Sequence, residues 1–209
     1  MKKSSFFSIL LSGMFFTIVS CGGGANVNKE WKAKNKDVDF STAKGLVMPV
    51  DMHVGGGDLE MSAALAGGFA GASDGRWISL QPAIKLPPFN QNITHPVTSD
   101  PNGAKAKTLL AALPGFIKKA EAQVKFDFPP RFVIVAHIDG GATKTIAGKG
   151  VRAMNIRAVM YDIDQGMMVS SVNYESQMPW TGNWNADKGI LIGKMTTVGK
   201  ELLGKLTKI

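Results

Sequence analysis

The sequence predicts an α/β domain in which helices pack on a central mixed β-sheet. Strand-type and helix-type hydrophobic patterns alternate through the first half. The run from Phe132 to Ile138 is apolar on both faces, so it must be covered on both sides, and the chain closes on a long apolar stripe at helical spacing. The expected order is strand, helix, strand, helix, three strands, helix.

The first strand is expected over residues 45–54, where Leu46, Met48, Val50 and Met52 alternate with Val47, Pro49, Asp51 and His53. Pro49 donates no hydrogen bond, so the strand is at an edge there or locally unpaired. Gly55, Gly56 and Gly57 break it, and Asp58 can cap a helix reaching about Ala70. Gly67 and Gly68 weaken that helix.

After the Asp74-Gly75 turn, Trp77 to Leu80 reads as a second strand. Prolines and amides crowd residues 82–103, which predicts a long irregular excursion. A helix follows over residues 104–124 with Leu109, Leu113, Phe116, Ala120 and Val124 on one face, bent if Pro114 lies inside it.

Phe132 to Ile138 reads as the central strand, with Phe132, Ile134, Ala136 and Ile138 on one side and Val133 and Val135 on the other. Residues 140–150 read as a flexible basic loop. Arg152–Ile163 and Met167–Tyr174 form a hairpin whose Gly166 can take the left-handed conformation. The last helix is expected from about Lys188, with Leu191, Met195, Val198, Leu202, Leu206 and Ile209 as its stripe, a core face rather than an interface.

The chain has 209 residues, 44% hydrophobic and 19% charged, which suits one folded domain. It contains a single cysteine, which excludes an intrachain disulfide and any multi-thiolate metal site. Lys2 and Lys3 precede an uncharged apolar run that ends Ile18-Val19-Ser20-Cys21. Basic residues followed by such a run read as a secretory signal. The ending resembles a bacterial lipobox, in which the thiol is lipidated and the preceding segment removed. Residues 1–20 are therefore expected to be a lipoprotein signal peptide, with Cys21 the lipidation site and palmitate among its acyl chains. Residues 21–44, polar and led by three glycines, read as a flexible tether, and residues 45–209 as a single domain.

Without Lys2 and Lys3, 22 basic side chains stand against 16 acidic ones. Basic and aromatic residues do not interleave as in a nucleic-acid groove, so no nucleic-acid partner is expected. The expected partners are the lipid bilayer, through Cys21, and an envelope protein.

Four segments in order resemble a family of exported lipoproteins that includes the curli-secretion protein CsgG, the penicillin-binding-protein activator LpoB and the amino-terminal domain of TolB. Leu46-Val47-Met48-Pro49-Val50 stands where the family has an aliphatic run ending Leu-Pro-Phe. Gly75-Arg76-Trp77-Ile78 matches the step that opens its second strand. Arg131 to Ala136 stands in its later strand, with alanine where glycine is usual, and Asp162 to Ser171 in its hairpin. The resemblance covers residues 45–174, and the stretch 83–103 departs from it. It implies an envelope accessory protein that binds a partner in assembly or regulation, without chemistry of its own. The pore-forming members add long amphipathic membrane strands that this sequence lacks.

Asp51 and His53 share one strand face and His137 and Asp139 another, so neighbouring parallel strands would bring together four ligands suited to zinc. The spacing matches no ligand signature, and strand ends are commonly polar, so no metal or other cofactor is assigned. The three glycines at 55–57 precede Asp58 and Glu60, which would repel phosphate. No HExxH occurs. Trp180 and Trp184 fall in one loop and are the candidate partner-binding residues. The expected function is that of a non-catalytic, lipid-anchored accessory protein at the outer membrane, facing the periplasm or exposed at the surface. The alternative is a surface lipoprotein that binds host or environmental ligands through loops 83–103 and 178–185.

Overall fold

Val133, Val135 and their opposite-facing neighbours seed a seven-stranded mixed sheet covered by helices on both sides. A computed structural model describes residues 25–29, 40, 42–53, 58–80, 91–146 and 148–207. The elements are β1 (Ala25–Lys29), β2 (Gly45–Val47), β3 (Asp51–His53), α1 (Asp58–Gly71), β4 (Trp77–Ser79), α2 (Gln91–Ser99), α3 (Ala104–Glu121), β5 (Phe132–Ile146), β6 (Lys149–Asp162), β7 (Met167–Pro179) and α4 (Trp184–Thr207).

The sheet runs β1-β7-β6-β5-β2-β4, with β3 also paired to β5. β2 lies parallel between β4 and β5, whereas β5, β6, β7 and β1 are successively antiparallel. The α/β class and the expected helix-on-sheet packing therefore hold. Alternation along β5 sets the two faces. Phe132, Ile134, Ala136 and Ile138 pack with α1 and α4, including Leu65, Phe69, Leu191 and Met195. Val133 and Val135 pack with Val159, Tyr161 and α3, including Leu109, Leu113 and Phe116.

Five expectations change in detail. The first predicted strand is two short ones, and Pro49 falls between β2 and β3, where a missing donor disturbs no ladder. The excursion at 82–103 contains α2, whose Ile93 and Val97 sit one turn apart on its packed side despite Pro96 inside the helix. The basic loop at 140–150 is mostly ladder, because β5 and β6 remain paired out to Ile146 and Lys149 across an irregularity between Gly140 and Thr143. Five residues of the stretch read as a tether, Ala25–Lys29, pair with β7, and its Phe40 is buried with its ring 5.4 Å from that of Phe132.

The last helix starts at Trp184, not Lys188. Asn183 Oδ1 accepts hydrogen bonds from Asn185 N at 3.0 Å and Ala186 N at 3.4 Å, which makes it the N-cap. Buried Asp187, in the first turn, accepts from Thr181 N at 2.7 Å and Thr181 Oγ1 at 3.0 Å. Leu191, Met195, Val198, Leu202 and Leu206 are all buried, so the predicted stripe is core, while Ile209 lies outside the described residues. Gly166 turns the β6–β7 hairpin at φ 61°, as its position predicted.

Candidate functional site

One apolar sheet face ends in a polar cluster. Along β5, Val133 and Val135 are followed on the same face by His137 and Asp139, and along β6 the matching positions are Tyr161, Val159, Arg157 and Asn155. Register places His137 opposite Arg157 and Asp139 opposite Asn155. Helix α2 packs over this end, against β3, β5 and β6, and contributes Thr94, His95 and Ser99.

His137 is fully buried. Its Nε2 lies 2.9 Å from Asp139 Oδ1, and its Nδ1 shares a hydrogen bond of 3.3 Å with Thr94 Oγ1. His95 stands edge-on to His137, with ring centroids 4.9 Å apart at 88°, and its Nε2 is 3.9 Å from the same Asp139 oxygen. Arg157 donates to the other oxygen, Asp139 Oδ2, and to Ser99 Oγ. Burial pushes the Asp139 carboxyl up, but the hydrogen bonds and charges of His137 and Arg157 outweigh it and hold the group below the usual carboxylate range. Asn155 Oδ1 and Arg157 Nε are buried without a hydrogen-bond partner among the described residues.

The strand neighbourhood that a four-ligand site would require is present: β3 and β5 are parallel, with Asp51 registered beside His137 and His53 beside Asp139. The side chains of Asp51 and His53 lie outside the described residues, as do Cys21 and the glycines at 55–57. Sequence reasoning missed His95 because it sits in the stretch read as irregular. The Ile93/Val97 pair, spaced as on a helix, was the available signal.

It also passed over Gly71-Ala72-Ser73-Asp74-Gly75, a match to the GxSxG nucleophile pattern, and Ser41-Thr42-Ala43-Lys44, a match to SxxK. Ser73 leaves a helix and precedes a strand, the reverse of a nucleophile elbow. It is buried, donating to Ala70 O at 2.6 Å and accepting from Trp77 N at 2.9 Å, so its hydroxyl ties a turn. Ser41 lies outside the described residues. Thr94, the hydroxyl that meets His137, is fully buried.

Trp180 and Trp184 are half-buried and pack against the α1/α4 core, and the Arg152 guanidinium lies 5.2 Å from the Trp180 ring centroid. Thr181, Gly182 and Asn183, between them, are exposed.

No protein-family model matches the chain, and no curated protein does. Solved structures do resemble it. The PelC dodecamer from Paraburkholderia phytofirmans is 13% identical, with a TM-score of 0.47 over 88% of this chain and 97% of that one. The hypothetical protein CT253 from Chlamydia trachomatis is 13% identical, with a TM-score of 0.45 over 78% and 98%. Lipoprotein GNA1162 from Neisseria meningitidis is 15% identical, with a TM-score of 0.36 over 78% and 99%. A bacterial lipoprotein is thus among the chain's structural neighbours.

Proposed function

We propose that the chain is a lipid-anchored accessory protein of the cell envelope, held at the outer membrane through Cys21, that binds an envelope protein in assembly or regulation and performs no chemistry of its own. The observation that carries the reading is the lone cysteine, directly after Ser20 at the end of the apolar run. Among the described residues no helix is long and apolar enough to cross a membrane.

The four-segment family resemblance supports the accessory role. β1 begins four residues after Cys21 and docks on β7. A span of that length reaches about 13 Å, so the β7 side of the sheet would lie close to the bilayer. The exposed turn between Trp180 and Trp184 is the proposed contact for the partner.

Replacing Cys21 with alanine tests the anchor: the chain should lose palmitate labelling and leave the membrane fraction. Retention of both would sink the reading. A photo-crosslinking residue at exposed Asn185 tests the contact, and should capture one envelope protein in intact cells that a probe on exposed Lys118 of α3 does not.

A further inference from the structure

We infer that His95, His137 and Asp139 bind one divalent cation of the zinc class. His95, His137 and Asp139 each offer a ligand atom, and the three atoms lie within 4.8 Å of one another. Two imidazoles and a carboxylate are the donors such an ion prefers, and tetrahedral bonds of about 2.05 Å would set them about 3.3 Å apart. His137 Nε2 and Asp139 Oδ1 are already at 2.9 Å. His95 is the ligand that must approach, and its side chain, 48% exposed on α2, has room to do so.

Two neighbouring contacts fall on the other atoms of these ligands. Arg157 engages Asp139 Oδ2, not Oδ1, and Thr94 engages His137 Nδ1, not Nε2. Each contact holds the far side of a ligand, which is how outer-shell groups orient donors around an ion. A cation would take the place of the proton that His137 Nε2 shares with Asp139 Oδ1, with Nδ1–H then donated to Thr94 Oγ1. His95 Nε2 faces the same oxygen at 3.9 Å.

Two further observations converge here. The chain has three histidines, two of them in the cluster and the third, His53, at the register position beside Asp139. The unpartnered Asn155 Oδ1 belongs to the direct cross-strand neighbour of Asp139. The Arg157 charge opposes a second cation nearby, so the site should bind more weakly than one lacking it. Three protein ligands leave the fourth position of a tetrahedral ion to water or another donor.

The experiment uses the full chain carrying Cys21→Ser, so that no thiol competes for metal. Zinc titration by calorimetry should show saturable binding of one ion per chain, and cobalt should give the visible absorption of a tetrahedral site. His95→Ala should fold like the parent by circular dichroism, because the side chain is half exposed, and should weaken zinc binding at least about tenfold. Asp139→Asn should do the same to binding. Absence of saturable binding in the parent would overturn the inference, as would unchanged affinity in a folded His95→Ala. The cluster would then be only an ion-pair network held by Arg157.

Discussion

Gly68 of α1 and Gly199 of α4 face each other where the two helices cross. A Cβ on Gly68 would lie 2.3 Å from Thr196 O and 3.0 Å from Gly199 Cα, and one on Gly199 would lie 2.4 Å from Leu65 O. The backbones therefore touch, and α1 reaches the core through Met61, Leu65 and Phe69 only because both positions lack a side chain.

Gly68→Ala and Gly199→Ala should each destabilise by about 1–3 kcal/mol, the cost of overpacking a close contact. Gly67→Ala, whose Cβ meets nothing within 4 Å, should instead stabilise by about 0.5–1 kcal/mol through helix propensity. Urea unfolding of the three variants checks both signs, and equal effects at 67 and 68 would exclude the close crossing.

Asp162 is fully buried and accepts from Arg131 Nη2 at 2.8 Å, Arg131 Nε at 3.1 Å and Gln165 N at 3.2 Å. Arg131→Ala strands a buried carboxylate and should cost about 3–5 kcal/mol. Asp162→Ala leaves an arginine that is 35% exposed and can turn to water, so its cost should be smaller. Denaturation midpoints of the two variants measure the asymmetry.

Tyr161 donates from Oη to Pro101 O at 3.1 Å, which ties the sheet to the turn before α3. Burial, with the charge of Asp100 second, raises its ionisation well above the ordinary tyrosine range, and burial with Glu201 raises that of Tyr174. The folded state therefore keeps both phenols neutral where the unfolded chain ionises them. Their contribution is fully present below about pH 10 and is lost as pH rises through the folded values. Stability measured from pH 8 to 11.5 should fall at the alkaline end, and Tyr161→Phe should flatten the fall.

Asn183→Ala should remove the cap of α4 at a cost of about 1 kcal/mol, while Asn183→Asp should preserve it. Melting temperatures of the pair decide whether the helix starts at Trp184. An unchanged value in Asn183→Ala would move the start nearer to Lys188.

The helix starts show where local sequence falls short. The stripe of α4 was readable because burial imposes its spacing, but its first turn is held by Asn183 and Asp187, whose polar side chains carry no periodicity. At α2, Pro96 and the surrounding amides point to a loop. Packing of Ile93, Thr94 and Val97 against the sheet overrides them, and Thr98 and Ser99 hydroxyls return bonds to the Thr94 and His95 carbonyls at 2.8 and 2.7 Å. His95 was therefore invisible as a neighbour of His137.

What the sequence alone determined is which residues are buried and on which side. Alternation along β5, helical spacing in α3 and α4, and the turn at Gly166 all follow from local periodicity and backbone freedom, and the lone Cys21 carries the anchoring reading. Only the tertiary structure decided which surfaces meet. It set Gly68 on Gly199, and it brought His95, distant in sequence, over His137 and Asp139. The physical reason is that periodicity records that a side chain faces away from water, whereas the identity of the group opposite depends on how separate elements dock.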